Sequence, residues 1–512
     1  MWAVLSQHRI IQQVSNLNME VEYETIIGLE VHSQLLTNSK MFCSCDSDYQ
    51  DAPPNTKVCP VCMGMPGVLP VVNKQAVELV IRTGLSLGCD ISKLTKFDRK
   101  NYPYPDLMKG YQISQFDRPI AERGELEVQD AEGNPKIIGI TRIHLEEDVA
   151  KLLHRKEPHG EGYSLLDVNR SGVPLMEIVS EPDMRSPEEA HSYLTSLHSI
   201  IRYIGVSTAN MEEGSFRCDA NISIRPLGES ELGKKVEIKN VNSFKSVFRA
   251  LKYEEGRQQD AIKSGELIVQ ETRGWSDERG TTVSQRTKEY ASDYRYFPEP
   301  DLPPVHIPGE WVREISSKIP ELPAHKRNRY IDEFGLSEYD AKVLTANKIF
   351  SDFFDKTIKA FESNRKSEIK FRAKVAANLI NVELARLINE NRQKLENSGI
   401  SPLALAELVV LTEQGNLSKS MAKVVLEEIF TNGGTPSVIS KKMGMSQISD
   451  VDSISSTINR VIEENPKAVA DFHAGKRSVV RYMLGQVMKI TKGTANPKIA
   501  TELLEKSLEQ LR

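Results

Sequence analysis

Several features that mark other classes of protein are scarce in this sequence. No apolar run among the 512 residues reaches the ~18 residues of a membrane-spanning helix, and no apolar segment with a cleavage site opens the chain. We therefore expect a cytoplasmic protein that neither crosses a membrane nor is secreted. The net charge is −5, so only a local basic patch would contact nucleic acid.

The motifs of several common enzyme classes are also missing. The chain has no Ser-His-Asp elbow, no HExxH segment, no P-loop and no GxGxxG after a predicted strand. Aromatic residues make up only 6% of the chain, and no platform for stacking sugars is visible, which argues against glycoside hydrolysis. If the chain is an enzyme, its chemistry uses carboxylates and a metal ion.

The patterns that are present divide the chain into segments. Residues 1–22 form a predicted N-terminal extension; residues 1–18 carry no acid, and an upstream extension before Met19 is favoured over a transit peptide. Residues 23–305 mix strand and helix patterns and end in a proline-rich segment. Residues 306–400 and 403–512 are helical, with a predicted linker at 396–402. The predicted class is α+β.

Local patterns place the main elements. Strands are predicted at 25–36, 139–151, 174–180, 217–226 and 235–239. One helix is well marked, because Ser186 can cap its N-terminus, Pro187 suits the first helical position and Glu189 completes a capping box.

Six cysteines are few for this length, and four of them form two close pairs. These are Cys43, Cys45, Cys59 and Cys62. Two such pairs can place four thiolates around a tetrahedral zinc, with an iron–sulfur cluster or free thiols as the alternatives. Four protein ligands leave no open position, so this zinc would hold the loop 43–62 and take no part in catalysis. Cys89 and Cys218 are predicted to be buried apolar residues.

Polar residues alternate along two predicted strands. Glu30 and His32 share one side of the first strand, and the opposite side is apolar. Arg217, Asp219 and Arg225 share one side of the strand at 217–226. Such rows suit anion and metal binding, but they could equally be the solvated side of a sheet.

Two acids lie on apolar sides of their strands. Glu147 shares a side with Ile143 and Leu145, and Glu177 shares a side with Leu175. A carboxylate in such a place needs a cation or strong donors. A metal ion with added oxygens from Glu30 or Asp219 would serve, and pairing with arginines is the alternative.

A basic block lies near the C-terminal end of the sequence. Between residues 467 and 498 seven lysines and arginines face one acid, Asp471, which gives a local charge of +6 in an acidic chain. Glycines in this block would allow close approach of a phosphate backbone, and a solvated helix face is the alternative.

Long ordered strings resemble a known family. The strings include IGLEVH (27–32), KFDRKNYPYPDLMKGYQISQFDRPI (96–120), ITRIHLEEDVAK (140–151), NRSGVPLMEIVSEPDMRSPEEA (169–190), MEEGSFRCDANISIRP (211–226) and GQVMKITKGTANPKIATELL (485–504). They resemble the GatB family, the B subunit of the glutamyl/aspartyl-tRNA amidotransferase in the GatCAB complex. The resemblance covers residues 20–512.

The resemblance implies an activity and a set of partners. ATP would phosphorylate the side-chain carboxylate of Glu or Asp misacylated onto tRNA(Gln) or tRNA(Asn), and ammonia would then displace the phosphate to give the amide. Ammonia would come from an amidase subunit, and a small third subunit would complete the GatCAB heterotrimer. The implied cofactors are ATP, Mg²⁺ and a structural Zn²⁺.

The resemblance also implies site residues. The catalytic set is Glu30, His32, Glu147, Glu177 and Asp219, with His32, Glu147 and Glu177 at the metal. Candidate ATP-phosphate ligands are Arg217, Arg225 and Lys239. Candidate tRNA ligands are Lys476, Arg477, Arg481, Lys489, Lys492 and Lys498. The resulting expectation is an α+β catalytic cradle at 23–305, a helical domain at 306–400 and a tRNA-binding helical tail at 403–512.

Two rival interpretations remain at this point. An archaeal-type paralogue acting only on Glu-tRNA(Gln) would carry an extra inserted domain, for which the sequence has no room. A non-enzymatic zinc-containing tRNA-binding protein would leave the acids without a catalytic role.

Overall fold

The computed structural model describes residues 22–156, 162–287, 294–361, 365–444, 451–491, 495 and 497–511. The chain divides into two compact units, the first ending at Leu322 and the second beginning at Pro323. The predicted extension at 1–22 lies outside the described residues except for Glu22.

The first unit contains the strands. In chain order they are β1 (Tyr23–Gln34), β2 (Asp90–Ile91), β3 (Leu94–Thr95), β4 (Asp98–Asn101), β5 (Tyr111–Ser114), β6 (Ala121–Gln129), β7 (Pro135–Glu147), β8 (Lys151–Lys156), β9 (Gly162–Asp167), β10 (Pro174–Ser180), β11 (Phe216–Pro226), β12 (Val236–Lys239), β13 (Glu271–Ser276), β14 (Thr281–Thr287), β15 (Phe297–Pro298) and β16 (Val305–His306). The largest sheet has the order β14-β13-β12-β11-β1-β10-β7-β6-β2. Its neighbouring strands are antiparallel except β12 and β13. A smaller sheet, β15-β4-β5, lies beside it in the same unit.

Three helices of the first unit cover one side of the large sheet: α1 (Lys74–Ser86), α2 (Pro187–Tyr203) and α3 (Phe244–Ser264). A further helix, α4 (Gly309–Ser317), packs on α1. Helix α2 begins as predicted, since the Ser186 side chain accepts a hydrogen bond from the Glu189 N–H at 3.1 Å. Leu194 and Leu197 of this helix are fully buried in one core with Leu29 and Val31 of β1. The apolar side of β1 therefore faces the helices, which leaves its polar side on the opposite face of the sheet.

The second unit is helical. Its helices are α5 (Pro323–Phe334), α6 (Glu338–Thr345), α7 (Lys348–Lys359), α8 (Lys366–Asn378), α9 (Ala385–Asn391), α10 (Pro402–Glu413), α11 (Lys419–Asn432), α12 (Pro436–Lys442), α13 (Val451–Glu464), α14 (Pro466–His473), α15 (Val479–Ile490) and α16 (Pro497–Gln510). A π-helical turn, Leu379–Leu384, joins α8 to α9, and a 3₁₀ turn spans Leu395–Asn397. One core holds residues from Tyr330 to Ile439 and another holds residues from Ile454 to Leu508.

The predicted α+β class is confirmed. Within the segment predicted as a linker at 396–402, Glu396 and Asn397 end the 3₁₀ turn, and Ser401 caps α10, which packs against α7 and α8. The first unit also continues past residue 305 through α4, whose Trp311 donates a hydrogen bond to Glu78 of α1 at 3.0 Å. In the part of the chain that the structure describes, no helix is long and apolar enough to cross a membrane.

Candidate active site

The polar face of the large sheet lines up charged side chains from four adjacent strands. Strand register places Arg217 of β11 opposite His32 of β1, His32 opposite Glu177 of β10, and Glu177 opposite His144 of β7. Because side chains alternate along a strand, these four project from the same face of the sheet. The sheet therefore builds a row of cation, imidazole, carboxylate and imidazole from four separate segments of sequence.

Two imidazoles and two carboxylates in and beside this row form what we call the acid–imidazole cluster: His32, His144, Glu146 and Glu177. His32 Nε2 lies 3.0 Å from Glu177 Oε2 and 3.9 Å from Glu146 Oε1. His144 Nε2 lies 3.5 Å from Glu177 Oε2 and 3.7 Å from Glu146 Oε2. His144, Glu146 and Glu177 are all buried. Each imidazole thus approaches both carboxylates.

The electrostatics of the cluster keep its acids charged. Burial opposes ionisation of Glu177, but the charges of His144 and His32 outweigh it and hold the pKa of this carboxyl well below its usual value. Burial likewise opposes ionisation of Glu146, and a hydrogen bond from His144 with the charge of Lys100 lowers the pKa of that carboxyl. Burial alone would lower the pKa of His32, yet Glu177 and Glu146 raise it to about 8.

The cluster has the donor set of a metal site. One ligand atom each from His32, Glu146 and Glu177 lie within 4.8 Å of one another. Ligands ~2.1 Å from an octahedral divalent ion are ~3 Å apart, close to the 3.0 Å between His32 Nε2 and Glu177 Oε2. An imidazole with two carboxylates suits Mn²⁺ or Zn²⁺ at least as well as Mg²⁺. The geometry and the donors therefore fit a divalent cation.

A second row of polar side chains lies on the same face, two residues away from the first row along β1 and β11. Glu30 of β1 is opposite Asp219 of β11. Glu30 Oε1 accepts a hydrogen bond from Asn221 Nδ2 at 2.9 Å, and Lys239 Nζ is 2.5 Å from Asp219 Oδ2. The predicted residues Glu30, Asp219 and Lys239 are thus brought beside the cluster.

A buried network fixes Arg217 at the end of the first row. Its guanidinium donates to Asp148 Oδ2 at 2.7 Å, and Gln34 Nε2 donates to the same oxygen at 2.7 Å. Gln34 also donates to the Tyr49 hydroxyl at 3.0 Å, and Tyr49 belongs to the cysteine-bearing loop. Burial opposes ionisation of Asp148, but Arg217 and Arg170 lower the pKa of its carboxyl. The loop therefore contacts the side chains that orient Arg217.

Glu147 is placed differently from the sequence expectation. It is the last residue of β7 and projects from the opposite face to Glu146. Its carboxylate lies 2.6 Å from Lys109 Nζ and accepts a hydrogen bond from the Ile113 N–H at 3.0 Å. The cation that its apolar face required is therefore Lys109, and the structure does not bring Glu147 into the acid–imidazole cluster.

Arg225 is also distant from the cluster. It lies eight residues beyond Arg217 on β11, about 26 Å at ~3.3 Å per residue. Its guanidinium donates to Glu24 Oε1 at 2.8 Å and to the Ser230 carbonyl at 3.1 Å. Arg225 lies on the polar face, as the alternation predicts, but it is too far along β11 to reach the cluster.

The four cysteines of the loop meet in one place. One sulfur atom from each of Cys43, Cys45, Cys59 and Cys62 lies within 4.8 Å of the others. Cys59 Sγ and Cys62 Sγ are 3.9 Å apart, and Zn–S bonds of ~2.3 Å in a tetrahedron require ~3.8 Å. The residues therefore fit a metal such as zinc. The other two cysteines, Cys89 and Cys218, are buried, as the sequence predicts.

Sequence reasoning missed Glu146, His144 and Lys100. A signal was available, because β7 carries His144-Leu145-Glu146 and β1 carries Glu30-Val31-His32, an acid and an imidazole two residues apart in each strand. Lys100 of β4 belongs to a different sheet, so no alternation pattern connects it to the cluster.

The described tRNA candidates in the second unit are exposed. They are Lys476, Arg477, Arg481 and Lys489. Arg481 and Lys489 are eight residues apart on α15 with Gly485 midway, so the three share one face of the helix. Lys492 lies outside the described residues, and Lys498 is in the first turn of α16.

Comparison with known proteins identifies the family. Residues 25–313 match the GatB/GatE catalytic domain family, and residues 352–508 match the GatB domain family. A Dehalococcoides mccartyi (strain CBDB1) protein, named as the B subunit of an aspartyl/glutamyl-tRNA(Asn/Gln) amidotransferase, is 55% identical over 491 residues, covering 96% of this chain and 99% of that relative. The chain belongs to the GatB family.

A second GatB relative agrees with the first. A Thermomicrobium roseum protein with the same name is 50% identical over 490 residues, covering 96% of this chain and 99% of that relative. The resemblance drawn from the sequence strings is confirmed. The polar face with the acid–imidazole cluster lies wholly within the part that matches the GatB/GatE catalytic domain.

Proposed function

We propose that this GatB-family chain activates the side-chain carboxylate of Glu or Asp esterified to tRNA(Gln) or tRNA(Asn) and converts it to the amide. The acid–imidazole cluster is the observation that carries the proposal. It sets two buried, ionised carboxylates and two imidazoles at the centre of a face that also carries Arg217 and Lys239. The relatives, named as the B subunit of an aspartyl/glutamyl-tRNA(Asn/Gln) amidotransferase, support the same activity.

The proposed reaction has two steps. An oxygen of the side-chain carboxylate attacks the γ-phosphorus of ATP, and ADP leaves with the electron pair of the broken P–O bond. Ammonia then attacks the acyl carbon, inorganic phosphate leaves, and the nitrogen loses a proton as the amide forms. Phosphoryl transfer needs positioning and neutralisation of charge above all.

The chain's own residues divide this task. His32, Glu146 and Glu177 would hold a divalent cation, which neutralises phosphate oxygens when bound. Lys239 is a fixed cation next to Asp219, and Arg217 is held by Asp148, so both are positioned to meet an anionic phosphate. Glu30, which accepts a hydrogen bond from Asn221, would offer a further carboxylate oxygen from the second row.

The substrate and the ammonia imply partners. The relatives are named as one subunit of a larger enzyme, so we propose a heterotrimer with an amidase and a small third protein. The amidase would supply ammonia, because this chain has no amidase Ser-Ser-Lys signature. A cytoplasmic location remains a prediction.

The sulfur atoms of Cys43, Cys45, Cys59 and Cys62, which we call the thiolate cluster, have a structural role in this proposal. Its four sulfurs would occupy every position of a tetrahedral zinc, so no site is left for a substrate.

The activity is tested by reconstitution. The chain is combined with its amidase and small partner subunits, Glu-tRNA(Gln), ATP, Mg²⁺ and glutamine, and both ADP and Gln-tRNA are measured. We expect tRNA-dependent ADP formation and amidation, both lost in Glu177→Gln and both retained in Glu127→Gln, which changes an exposed acid on β6 of the same sheet. Wild-type amidation rates in Glu177→Gln would contradict the site. Absence of tRNA-dependent ADP formation in the wild type would favour the non-enzymatic tRNA-binding protein.

We further propose that the exposed basic residues of α15 contact the tRNA backbone. A chain that ends after Gly444 removes the core of residues 454–508 and leaves α10 and α11 in their own core. It should bind tRNA more weakly and with a shallower salt dependence. Arg481→Gln with Lys489→Gln should have the same effect without truncation, and unchanged affinity in both variants would contradict this contact.

A further inference from the structure

A stacked aromatic pair lies on the surface next to the acid–imidazole cluster. The rings of Phe116 and Tyr296 have centroids 4.4 Å apart and planes inclined by 11°. We call this pair the aromatic step. Phe116 is 59% exposed although one face of its ring is stacked on Tyr296, so the other face is open to solvent.

The backbone on both sides of the aromatic step is fixed. Phe116 follows β5, and its N–H donates to Asp98 Oδ2 of β4 at 3.1 Å. Tyr296 precedes β15, which pairs with β4. Asn101 of β4 also holds this segment, donating from its N–H to the Tyr294 carbonyl at 2.8 Å and from Nδ2 to the Arg295 carbonyl at 2.9 Å. The two rings are therefore pre-organised and need little ordering when a ligand arrives.

The aromatic step is continuous with the cluster. Lys100 Nζ lies 5.1 Å from the Tyr294 ring centroid, and the Tyr294 and Tyr296 centroids are 6.1 Å apart. Burial lowers the pKa of Lys100, but Glu146 and Glu177 raise it above its usual value, so its ammonium group lies within their field. Lys100, Tyr294 and Tyr296 therefore form a continuous series of contacts from the two carboxylates to the ring of Phe116.

We propose that the open face of Phe116 stacks on the terminal adenine of the aminoacylated tRNA. This proposal rests on the proposed function, because the amino acid that must reach Glu177 is esterified to the ribose of that nucleotide. The 3′ end is single-stranded, and an unpaired base offers a π-face to an aromatic side chain. The adenine must therefore bind close to the cluster, where the aromatic step provides a ring with one exposed face.

The surroundings of Phe116 favour one base over a protein partner. The two residues that follow it, Asp117 and Arg118, are exposed and charged, so Phe116 and Tyr296 form a small aromatic patch bordered by charges. The centre of a protein–protein interface is instead depleted in charged residues and extends over many side chains. The ring of Phe116 would stack on one base, and Arg118 beside it would contact the neighbouring phosphate.

The first test separates binding from chemistry in the reconstituted complex. Phe116→Ala should raise the KM for Glu-tRNA(Gln) about ten-fold or more, with kcat changed by less than about three-fold, because a stacking contact is lost while the cluster stays intact. Phe116→Trp should restore the KM. Phe297→Ala is the matched control, since Phe297 is also exposed, at 45%, and lies one residue from Tyr296.

The second test detects the contact directly. A tRNA(Gln) with 2-aminopurine in place of its terminal adenine should lose fluorescence on binding to the wild-type complex and to Phe297→Ala, and keep it on binding to Phe116→Ala. Unchanged KM and unchanged quenching in Phe116→Ala would overturn the proposal. Failure of Phe116→Ala to assemble with the amidase and the small third protein would also overturn it, in favour of a protein contact.

These readouts distinguish the two proposals. The base contact would be supported, and the proposed function contradicted, if quenching is lost in Phe116→Ala but the wild-type complex makes no Gln-tRNA. Amidation in the wild type together with an unchanged KM for Glu-tRNA(Gln) and unchanged quenching in Phe116→Ala would support the proposed function and contradict the base contact.

Discussion

The two groups of ligand side chains in the first unit differ in how completely they surround a metal. The thiolate cluster brings four sulfurs together and fills a tetrahedron. The acid–imidazole cluster offers three ligand atoms from three strands, which leaves positions for oxygens of a phosphate or carboxylate. Both groups are partly or wholly buried, so the number and type of donors decide which one can do chemistry.

The cations beside the two groups show the same difference. Lys40 is completely buried next to the thiolates, with Nζ 3.7 Å from Cys62 Sγ and a hydrogen bond to the Lys57 carbonyl at 2.8 Å. The side chain of Lys239, beside the acid–imidazole cluster, is 38% exposed. A buried cation can only neutralise the thiolates, whereas a half-exposed one can meet an incoming anion. Open coordination positions and accessible cations therefore mark the acid–imidazole cluster as the reactive one.

The largest effect on activity is expected at Glu146. Glu146→Gln removes one charge of the acid–imidazole cluster and keeps the size of the side chain. We expect amidation by the reconstituted complex to fall roughly 10²- to 10³-fold, the usual loss of a key electrostatic contact. Single-turnover formation of Gln-tRNA measures this, and a loss below about three-fold would exclude Glu146 from the site.

The next effect concerns the thiolate cluster and is on stability. Cys59→Ser should remove the metal and release the loop, lowering the free energy of unfolding by about 3 kcal/mol, as for a crosslink that closes a loop of ~15–20 residues. Amidation below the melting temperature should change little. Thermal unfolding with and without a zinc chelator tests this, with Cys89→Ala as a control thiol outside the cluster. If Cys59→Ser abolished amidation in a folded complex, the structural role would be contradicted.

A smaller effect is expected at Glu147, the neighbour of Glu146 on the other face of β7. Glu147→Gln leaves Lys109 without its anion, and we expect a loss of about 1–3 kcal/mol in unfolding free energy. Amidation by the folded protein should stay within a few-fold of wild type. Denaturant unfolding measures the loss, and Lys109→Met in the same chain should recover part of it, because removing both charges costs less than removing one. No recovery would show that the pair is not coupled.

The smallest effect is expected where the loop contacts the site. Tyr49→Phe removes the hydroxyl that bonds Gln34 and should cost about 0.5–1.5 kcal/mol, the value of one hydrogen bond. Tyr163→Phe, at an exposed position, should change nothing. Melting curves of the two variants test this, and equal melting temperatures would remove the link between the loop and the polar face.

Part of the site could be predicted because strands alternate. The pattern around Glu30 and His32 indicated two polar groups on one face, and the structure sets them there beside Glu177 and Asp219. Alternation could not choose between Glu146 and Glu147. That choice depends on what covers each face of β7, and Lys109 comes from a segment almost 40 residues earlier in the chain.

The sequence predicted which strands and helices are present more accurately than where each of them begins and ends. The strand at 174–180 has the predicted limits, and β1 is shifted by two residues. The sequence predicts a linker at 396–402, and the structure places the start of α10 at its last two residues, Ser401 and Pro402. Only tertiary packing of α10 on α7 and α8 shows that one core continues across it.

The most direct test of the acid–imidazole cluster is metal binding without turnover. The chain is loaded with zinc at the thiolates, and Mn²⁺ is then titrated without nucleotide and followed by electron paramagnetic resonance. We predict one Mn²⁺ site in the wild type and in Glu147→Gln, and a loss of affinity of roughly ten-fold or more in Glu146→Gln and Glu177→Gln. Equal affinities in all four proteins, or a loss in Glu147→Gln alone, would show that the acid–imidazole cluster does not bind the metal.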